Sequence, residues 1–265
     1  MGVNLPLVTP ETLAEKMAGA PRLLLMLDYD GTLVPIAPTP DQARPEPELI
    51  SVLGELSLLP GRVVAIISGR RLSELQELIP LAGLHLVGAH GAEIQEADGK
   101  VHRLFKDQRA KEIISELDGI ARECIASRRG FLVENKGISL ALHYRQADPF
   151  LARQVIDNFI KKISSLPDAN RLELMPGKKV LEVRPRGVNK GLAVRYLCRK
   201  HAGALPVYIG DDITDEDAFK ALKNGCTILV SPRPRPSAAS ARLPSPRHVG
   251  IMLSLLLAKT KLKAR

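Results

Sequence analysis

Two carboxylates, Asp28 and Asp30, stand where the apolar run Leu23-Leu24-Leu25-Met26-Leu27 gives out. A run of this kind reads as a buried strand, and in open α/β sheets ligands bind outside the carboxyl ends of the strands. Gly31 permits a sharp departure from the strand. In isolation Asp-Gly also reads as a turn with solvated acids. Three further polar clusters shift the balance: Ser68-Gly69-Arg70 follows a second apolar run, Lys190 follows Asn189 at the head of a helical pattern, and Asp211-Asp212 follows a third run. Two adjacent acids ending a buried strand repel each other unless a cation offsets them. Carboxylates, a hydroxyl and an ammonium gathered at strand ends therefore describe one polar site. Lys190 alone would read as an exposed residue in the first turn of a capped helix. Thr214-Asp215-Glu216-Asp217 alone would read as a capping box whose acids face the helix dipole, and Glu216 and Asp217 are expected to be structural.

The elements that would carry these clusters alternate. Short β-branched or leucine-rich runs at residues 23–27, 63–67, 84–87, 207–209 and 227–230 read as buried parallel strands. Leu72, Leu75, Leu78 and Ile79 keep helical spacing, as do Ala193, Val194 and Leu197. Alternating strand and helix predicts an α/β fold with a doubly wound, Rossmann-like parallel sheet. The middle of the chain breaks the rhythm. Ile113, Leu117, Ile120, Ala121 and Cys124 share one helical face, alternating segments follow at 131–145 and 172–184, and Asp148-Pro149 is an N-cap signature between them. Residues 108–186 are therefore expected to form an inserted α+β unit, leaving a discontinuous sheet domain of residues 1–107 and 187–265. The Pro-, Arg- and Ser-rich residues 231–247 are expected to form a mobile surface loop.

Taken together, the four clusters resemble the motifs of haloacid dehalogenase superfamily phosphotransferases, across the whole sheet domain. That resemblance implies a phosphatase in which Asp28 is the nucleophile and forms an aspartyl phosphate. Asp30 would protonate the leaving oxygen and later activate water, Ser68 would bond a phosphate oxygen, and Lys190 would offset phosphate charge. Mg²⁺ would be the cofactor, held by Asp28, Asp211 and the Asp30 carbonyl, with Asp212 and Asp215 in a supporting layer. Gly69 and Arg70 would contact substrate. Whether Asp30 holds its proton depends on neighbouring acids, which favour it, and the metal, which opposes it; the sequence leaves that balance open.

The resemblance narrows to trehalose-6-phosphate phosphatases on Leu27-Asp28-Tyr29-Asp30-Gly31-Thr32, Gly88-Ala89-His90-Gly91, Glu134-Asn135-Lys136 with His143-Tyr144-Arg145, Gly177-Lys178-Lys179-Val180-Leu181-Glu182 and Gly210-Asp211-Asp212-Ile213-Thr214-Asp215. It implies that the inserted unit is a cap whose Glu134, Lys136 and Glu182 grip the distal glucose. If Glu134 and Lys136 share a strand they point the same way, as a common ligand requires; a cross-strand ion pair is the competing account. His90 reads as a loop histidine outside the catalytic set. The pattern departs from the family at Ser237-Ala238-Ala239-Ser240-Ala241-Arg242-Leu243, where a Tyr is usual, and at residues 251–257, where the final helix usually bears a Phe. Related phosphatases acting on sucrose phosphate or mannosyl-phosphoglycerate are the alternative. The implied partners are a sugar phosphate and a separate trehalose-phosphate synthase.

The formal charge of +9 at pH 7 over 265 residues raises a different class, a nucleic-acid or membrane-surface binder. Much of that charge lies late, in Arg233, Arg235, Arg242 and Arg247 and then Lys259, Lys261, Lys263 and Arg265, which reads as a solvated loop and tail rather than a binding face. Three cysteines without paired spacing suggest neither a disulfide framework nor a zinc site. No apolar run near the N-terminus is long enough for a signal or spanning helix, and a cytoplasmic location is expected.

Overall fold

The computed structural model describes residues 5–177 and 179–263, so Lys178 and Arg265 lie outside it. The chain divides into two compact units: one holds the residues up to Leu104 and from Asn189 onward, and the other is Phe105–Val188.

The first unit begins with α1 (Pro10–Ala18), β1 (Leu23–Leu27), α2 (Pro47–Leu58), β2 (Arg62–Ile67), α3 (Leu72–Leu78), β3 (His85–Gly88), β4 (Glu93–Gln95) and β5 (Val101–Arg103). The second contains α4 (Gln108–Ile125), β6 (Leu132–Asn135), β7 (Leu140–His143), α5 (Pro149–Ser164), β8 (Leu172–Gly177) and β9 (Val180–Pro185). The chain then completes the first unit with α6 (Lys190–Lys200), β10 (Leu205–Gly210), α7 (Glu216–Ala221), β11 (Cys226–Val230), β12 (Ala241–Leu243) and α8 (Pro246–Lys263).

The sheet of the first unit runs β12-β11-β10-β1-β2-β3-β4-β5. All pairings from β12 through β3 are parallel, and β4 and β5 add an antiparallel edge. Strand β1 is central and buried on both faces, which is why its five residues are uniformly apolar. Leu23, Leu25 and Leu27 enter the layer shared with α1, α2 and α8, while Leu24 and Met26 enter the layer shared with α6 and α7. From β1 the chain moves to β2 on one side and returns as β10 on the other, so the winding reverses between β1 and β10. A crevice opens at the strand ends of such a reversal, because the two connections leave in opposite directions.

The second unit is an antiparallel sheet, β6-β7-β9-β8, packed by α4 and α5. Ile113, Leu117, Ala121 and Cys124 are buried on the inner face of α4, as their spacing predicts. Asp148 caps α5 by accepting from the Leu151 amide at 2.9 Å, and Pro149 occupies the first helical turn. Among the described residues no helix is long and apolar enough to cross a membrane.

Three local expectations fail. Residues 231–247 are not a mobile loop: β12 pairs in parallel with β11, Ser240 donates its N–H to Thr227 Oγ1 (2.9 Å), and Arg235 pairs with Glu216 (2.8 Å). Their polar composition serves these specific partners, which local composition does not reveal. The basic tail is not free either, since α8 runs to Lys263 and its lysines pair with Glu15 and Glu55. Finally, Lys136 does not share a strand with Glu134. Strand β6 ends at Asn135, and Lys136 opens a turn in which its N–H donates to Ser139 O (2.9 Å) and Gly137 has φ of 83°.

Candidate active site

Asp28 follows β1 directly, and its N–H donates to Ile209 O at 2.9 Å, extending the β1–β10 ladder into the crevice. Its carboxylate is buried. Oδ1 accepts from Lys190 Nζ at 2.6 Å and Oδ2 from Thr32 Oγ1 at 3.1 Å. Lys190 is 3% exposed, so the reading of a surface lysine in a capped helix does not hold. It sits at the first position of α6 because Asn189 caps that helix, its side chain accepting from the Leu192 amide at 3.1 Å. The ammonium is shared with Asp215 Oδ1 at 2.7 Å.

Asp215 is wholly buried and fully engaged. Oδ1 also accepts from Tyr208 Oη (2.6 Å), and Oδ2 accepts from the amides of Asp211 (3.0 Å) and Asp212 (2.9 Å). Gly210 is required beside it, since a Cβ there would lie 2.3 Å from Asp215 Cγ. Asp215 therefore shapes the loop after β10, while Asp212 is exposed and joins Asp215 in a capping box, its amide donating to the Asp215 carboxylate and its carbonyl accepting the Asp215 N–H at 3.2 Å.

Asp211 is the least satisfied acid. Its Oδ1 is buried without a hydrogen-bond partner. A Cβ on Gly31 would lie 2.1 Å from Asp211 Oδ2, and Gly31 has φ of 84°, so close approach and backbone conformation both demand glycine. Burial raises the Asp211 carboxyl to about 9, with the charges of Asp28 and Asp215 adding to it. Burial also raises Asp28, to about 7, with Lys190 opposing and Asp215 reinforcing the shift. Burial alone would discharge Lys190, but Asp215 and Asp28 outweigh it and hold the ammonium.

Asp28, Asp211 and Asp215 form a group whose donor atoms lie within 4.8 Å of one another. With all three ionised, these carboxylates would leave two negative charges uncompensated by the one buried ammonium, and the orphaned Asp211 oxygen points to where a cation would supply the difference. An all-oxygen donor set suits a hard divalent cation. The residues thus fit Mg²⁺, with Asp28 and Asp211 as the carboxylates able to hold it. Asp215, whose two oxygens already accept four hydrogen bonds, supports them.

Asp30 and Arg70 form a second pair at the same strand ends. Arg70 Nε and Nη2 donate to Asp30 Oδ2 and Oδ1, both at 2.7 Å, and the guanidinium lies 5.2 Å from the Tyr29 ring centroid. Ser68 is buried and its Oγ accepts from the Arg70 amide at 3.2 Å. Gly69 packs on His90, where a Cβ would come within 2.5 Å of the imidazole. The segment Ala89-His90-Gly91 has φ of 49°, 55° and 99°, a strained run tied down by bonds from the Ala89 amide to Arg70 O and from the His90 amide to Ser68 O.

In the second unit, Glu134, Ala141 and Glu182 are successive cross-strand partners, so both carboxylates share a face on either side of a small residue. His143 Nε2 lies 2.9 Å from Glu134 Oε2, Ser139 Oγ donates to Glu182 Oε1 at 2.6 Å, and Lys136 Nζ is 3.6 Å from the same oxygen.

The chain matches the family described as Trehalose-phosphatase over residues 26–247. The chain belongs to this family, within the haloacid dehalogenase superfamily. A probable trehalose-phosphate phosphatase 3 of Oryza sativa subsp. japonica is 35% identical over 94% of this chain and 74% of its own. A bifunctional trehalose-6-phosphate synthase/phosphatase of Thermoproteus tenax is 34% identical over 84% of this chain and 30% of its own. The C-terminal domain of C. albicans trehalose-6-phosphate phosphatase superposes with a TM-score of 0.80 at 28% identity, over 96% of this chain and 98% of that one. Within this family site, sequence reasoning left three side chains without a role: Thr32, Tyr208 and Arg235. Thr32 stood in the quoted motif and Tyr208 in the apolar run that leads into Gly210-Asp211-Asp212, whereas Arg235 carried no local signal.

Proposed function

We propose that this protein hydrolyses trehalose 6-phosphate to trehalose and phosphate. The observation that carries the reading is the buried Lys190 ammonium bridging Asp28 and Asp215 beside the unpartnered Asp211 oxygen. This arrangement accepts a dianionic phosphate only with a further cation.

Mg²⁺, when bound, supplies positive charge that draws the phosphate group and its attacker together. Asp28 attacks phosphorus, the Asp28 O–P bond forms, and the P–O bond to the sugar breaks with its electron pair left on the sugar oxygen. Asp30 gives that oxygen a proton. Water then attacks the acyl phosphate, Asp30 takes a proton back, and Asp28 is restored as phosphate leaves. Lys190 and Thr32 fix the Asp28 carboxylate so that no reorientation precedes attack. While both Asp30 oxygens accept from Arg70, neither presents a proton. Substrate must draw Arg70 away, which suits Arg70 and the Gly69 amide to contact with phosphate. Ser68 Oγ is assigned to a phosphate oxygen.

The Phe105–Val188 unit is assigned to substrate choice, with Glu134, Lys136 and Glu182 bonding sugar hydroxyls. A trehalose-phosphate synthase is the partner that would supply the substrate, and the name of the Thermoproteus relative joins the two activities.

The test is phosphate release from trehalose 6-phosphate, sucrose phosphate, mannosyl-phosphoglycerate and an aryl phosphate. Wild type should prefer trehalose 6-phosphate, and Asp28→Asn should be inactive on all four. Glu182→Ala should lose about 5- to 150-fold in kcat/KM on trehalose 6-phosphate, from about 1–3 kcal/mol per lost bond, and spare the aryl phosphate. Preference for another sugar phosphate, or full activity of Asp28→Asn, would overturn the proposal.

A further inference from the structure

Arg235 lies in the basic stretch that composition marks as a loop, yet its guanidinium reaches the site. Nη2 donates to the Asp211 carbonyl at 3.1 Å, and Nη1 donates to Glu216 Oε1 at 2.8 Å and to Pro236 O at 3.2 Å. Glu216 is fixed in turn, because its Oε2 accepts the Ala238 amide at 2.7 Å. The stretch and the start of α7 are thus closed on each other through one carboxylate.

The consequence falls on Asp211. Its amide is held by Asp215 and its carbonyl by Arg235, so both peptide groups flanking the residue are pinned. Its carboxylate is held less firmly, with Oδ1 buried and unpartnered and Oδ2 packed where a Gly31 Cβ would be. Residues that orient metal ligands raise affinity by removing the reorganisation that binding would otherwise require.

We propose that Arg235 is a positioning residue for Mg²⁺: by clamping the Asp211 carbonyl it keeps the Asp211 carboxylate aimed at the metal position before the ion arrives. The inference rests on the proposed magnesium phosphatase activity but makes a separate demand, on ion affinity. Its sign separates clamp from charge. A cation that acted only by its field would repel Mg²⁺, so removing it would tighten binding. Loss of a clamp weakens it.

The experiment measures Mg²⁺ binding to the full chain by calorimetry and by Mg²⁺-dependent thermal shift, for wild type, Arg235→Met, Glu216→Gln and Arg233→Ala. Arg233 is an exposed neighbour in the same stretch and serves as the control. Arg235→Met should weaken Mg²⁺ binding roughly 10- to 100-fold, with kcat at saturating Mg²⁺ near wild type. Glu216→Gln should weaken it in the same direction by less, and Arg233→Ala should match wild type. Unchanged or tighter binding in Arg235→Met overturns the proposal, as does weakening shared equally by Arg233→Ala. Wild type that binds no Mg²⁺ overturns both this inference and the metal site. Wild type that binds Mg²⁺ but releases no phosphate from trehalose 6-phosphate overturns the function alone.

Discussion

Replacing Asp215 by Asn exchanges a single heavy atom, yet it should be among the most destabilising conservative substitutions in the chain. The carboxylate accepts four hydrogen bonds from two opposed sides, two from the amides of Asp211 and Asp212 and two from Lys190 and Tyr208. An amide has one accepting oxygen. If it faces the two backbone amides, its NH₂ meets the Lys190 ammonium, donor against donor; flipped, it meets the two backbone N–H groups instead. Either way the buried ammonium loses one of its two carboxylate partners. Removing one member of a buried pair costs about 3–5 kcal/mol because the other is left uncompensated. The lost hydrogen bonds belong to the same penalty and are not added to it. At roughly 2–4 °C per kcal/mol for a chain of this size, the melting temperature should fall by about 6–20 °C. Thermal unfolding in excess chelator would measure this, alongside Asp212→Asn, whose exposed side chain should cost no more than about 0.5 kcal/mol. If Asp215→Asn melts within about 2 °C of wild type, or no lower than Asp212→Asn, the assignment of Asp215 as counter-ion to Lys190 is wrong.

Two further outcomes follow from the same geometry. Gly31→Ala should weaken Mg²⁺ binding and lower turnover by at least tenfold, since the added Cβ overlaps the Asp211 carboxylate and the left-handed backbone opposes it; an unchanged Mg²⁺ titration would refute this. Away from the site, burial lowers His85 to about 4, against the pull of the adjacent Glu96 carboxylate. The neutral imidazole is favoured by the fold, so its contribution is complete above pH 6.5 and is lost as pH falls toward 4. The stability difference between wild type and His85→Asn should therefore shrink over that window, by up to about 1.4 kcal/mol per pH unit. A difference independent of pH would show that the imidazole does not titrate as burial requires.

What could be read along the chain was whatever a few consecutive residues specify. The continuous apolar run of β1 announces burial on both faces because any polar residue there would face a packed layer. Asp148-Pro149 and Asn189 mark helix starts because a cap acts on amides two or three residues away. The Asp28–Asp30 and Asp211–Asp212 motifs were visible for the same reason, each lying where a strand ends. Tertiary structure decided how these pieces are used. Lys190 and Asp28 are 162 residues apart, and their ion pair exists because β10 lies beside β1 and α6 packs across the sheet. Of the neighbouring acids Asp212 and Asp215, one is solvated and the other anchors the site, a difference set by the ring of donors around a single buried position. The arginine-rich stretch could not be told from a solvated loop, because the carbonyl and carboxylate that order Arg235 belong to residues that only the folded sheet brings within reach.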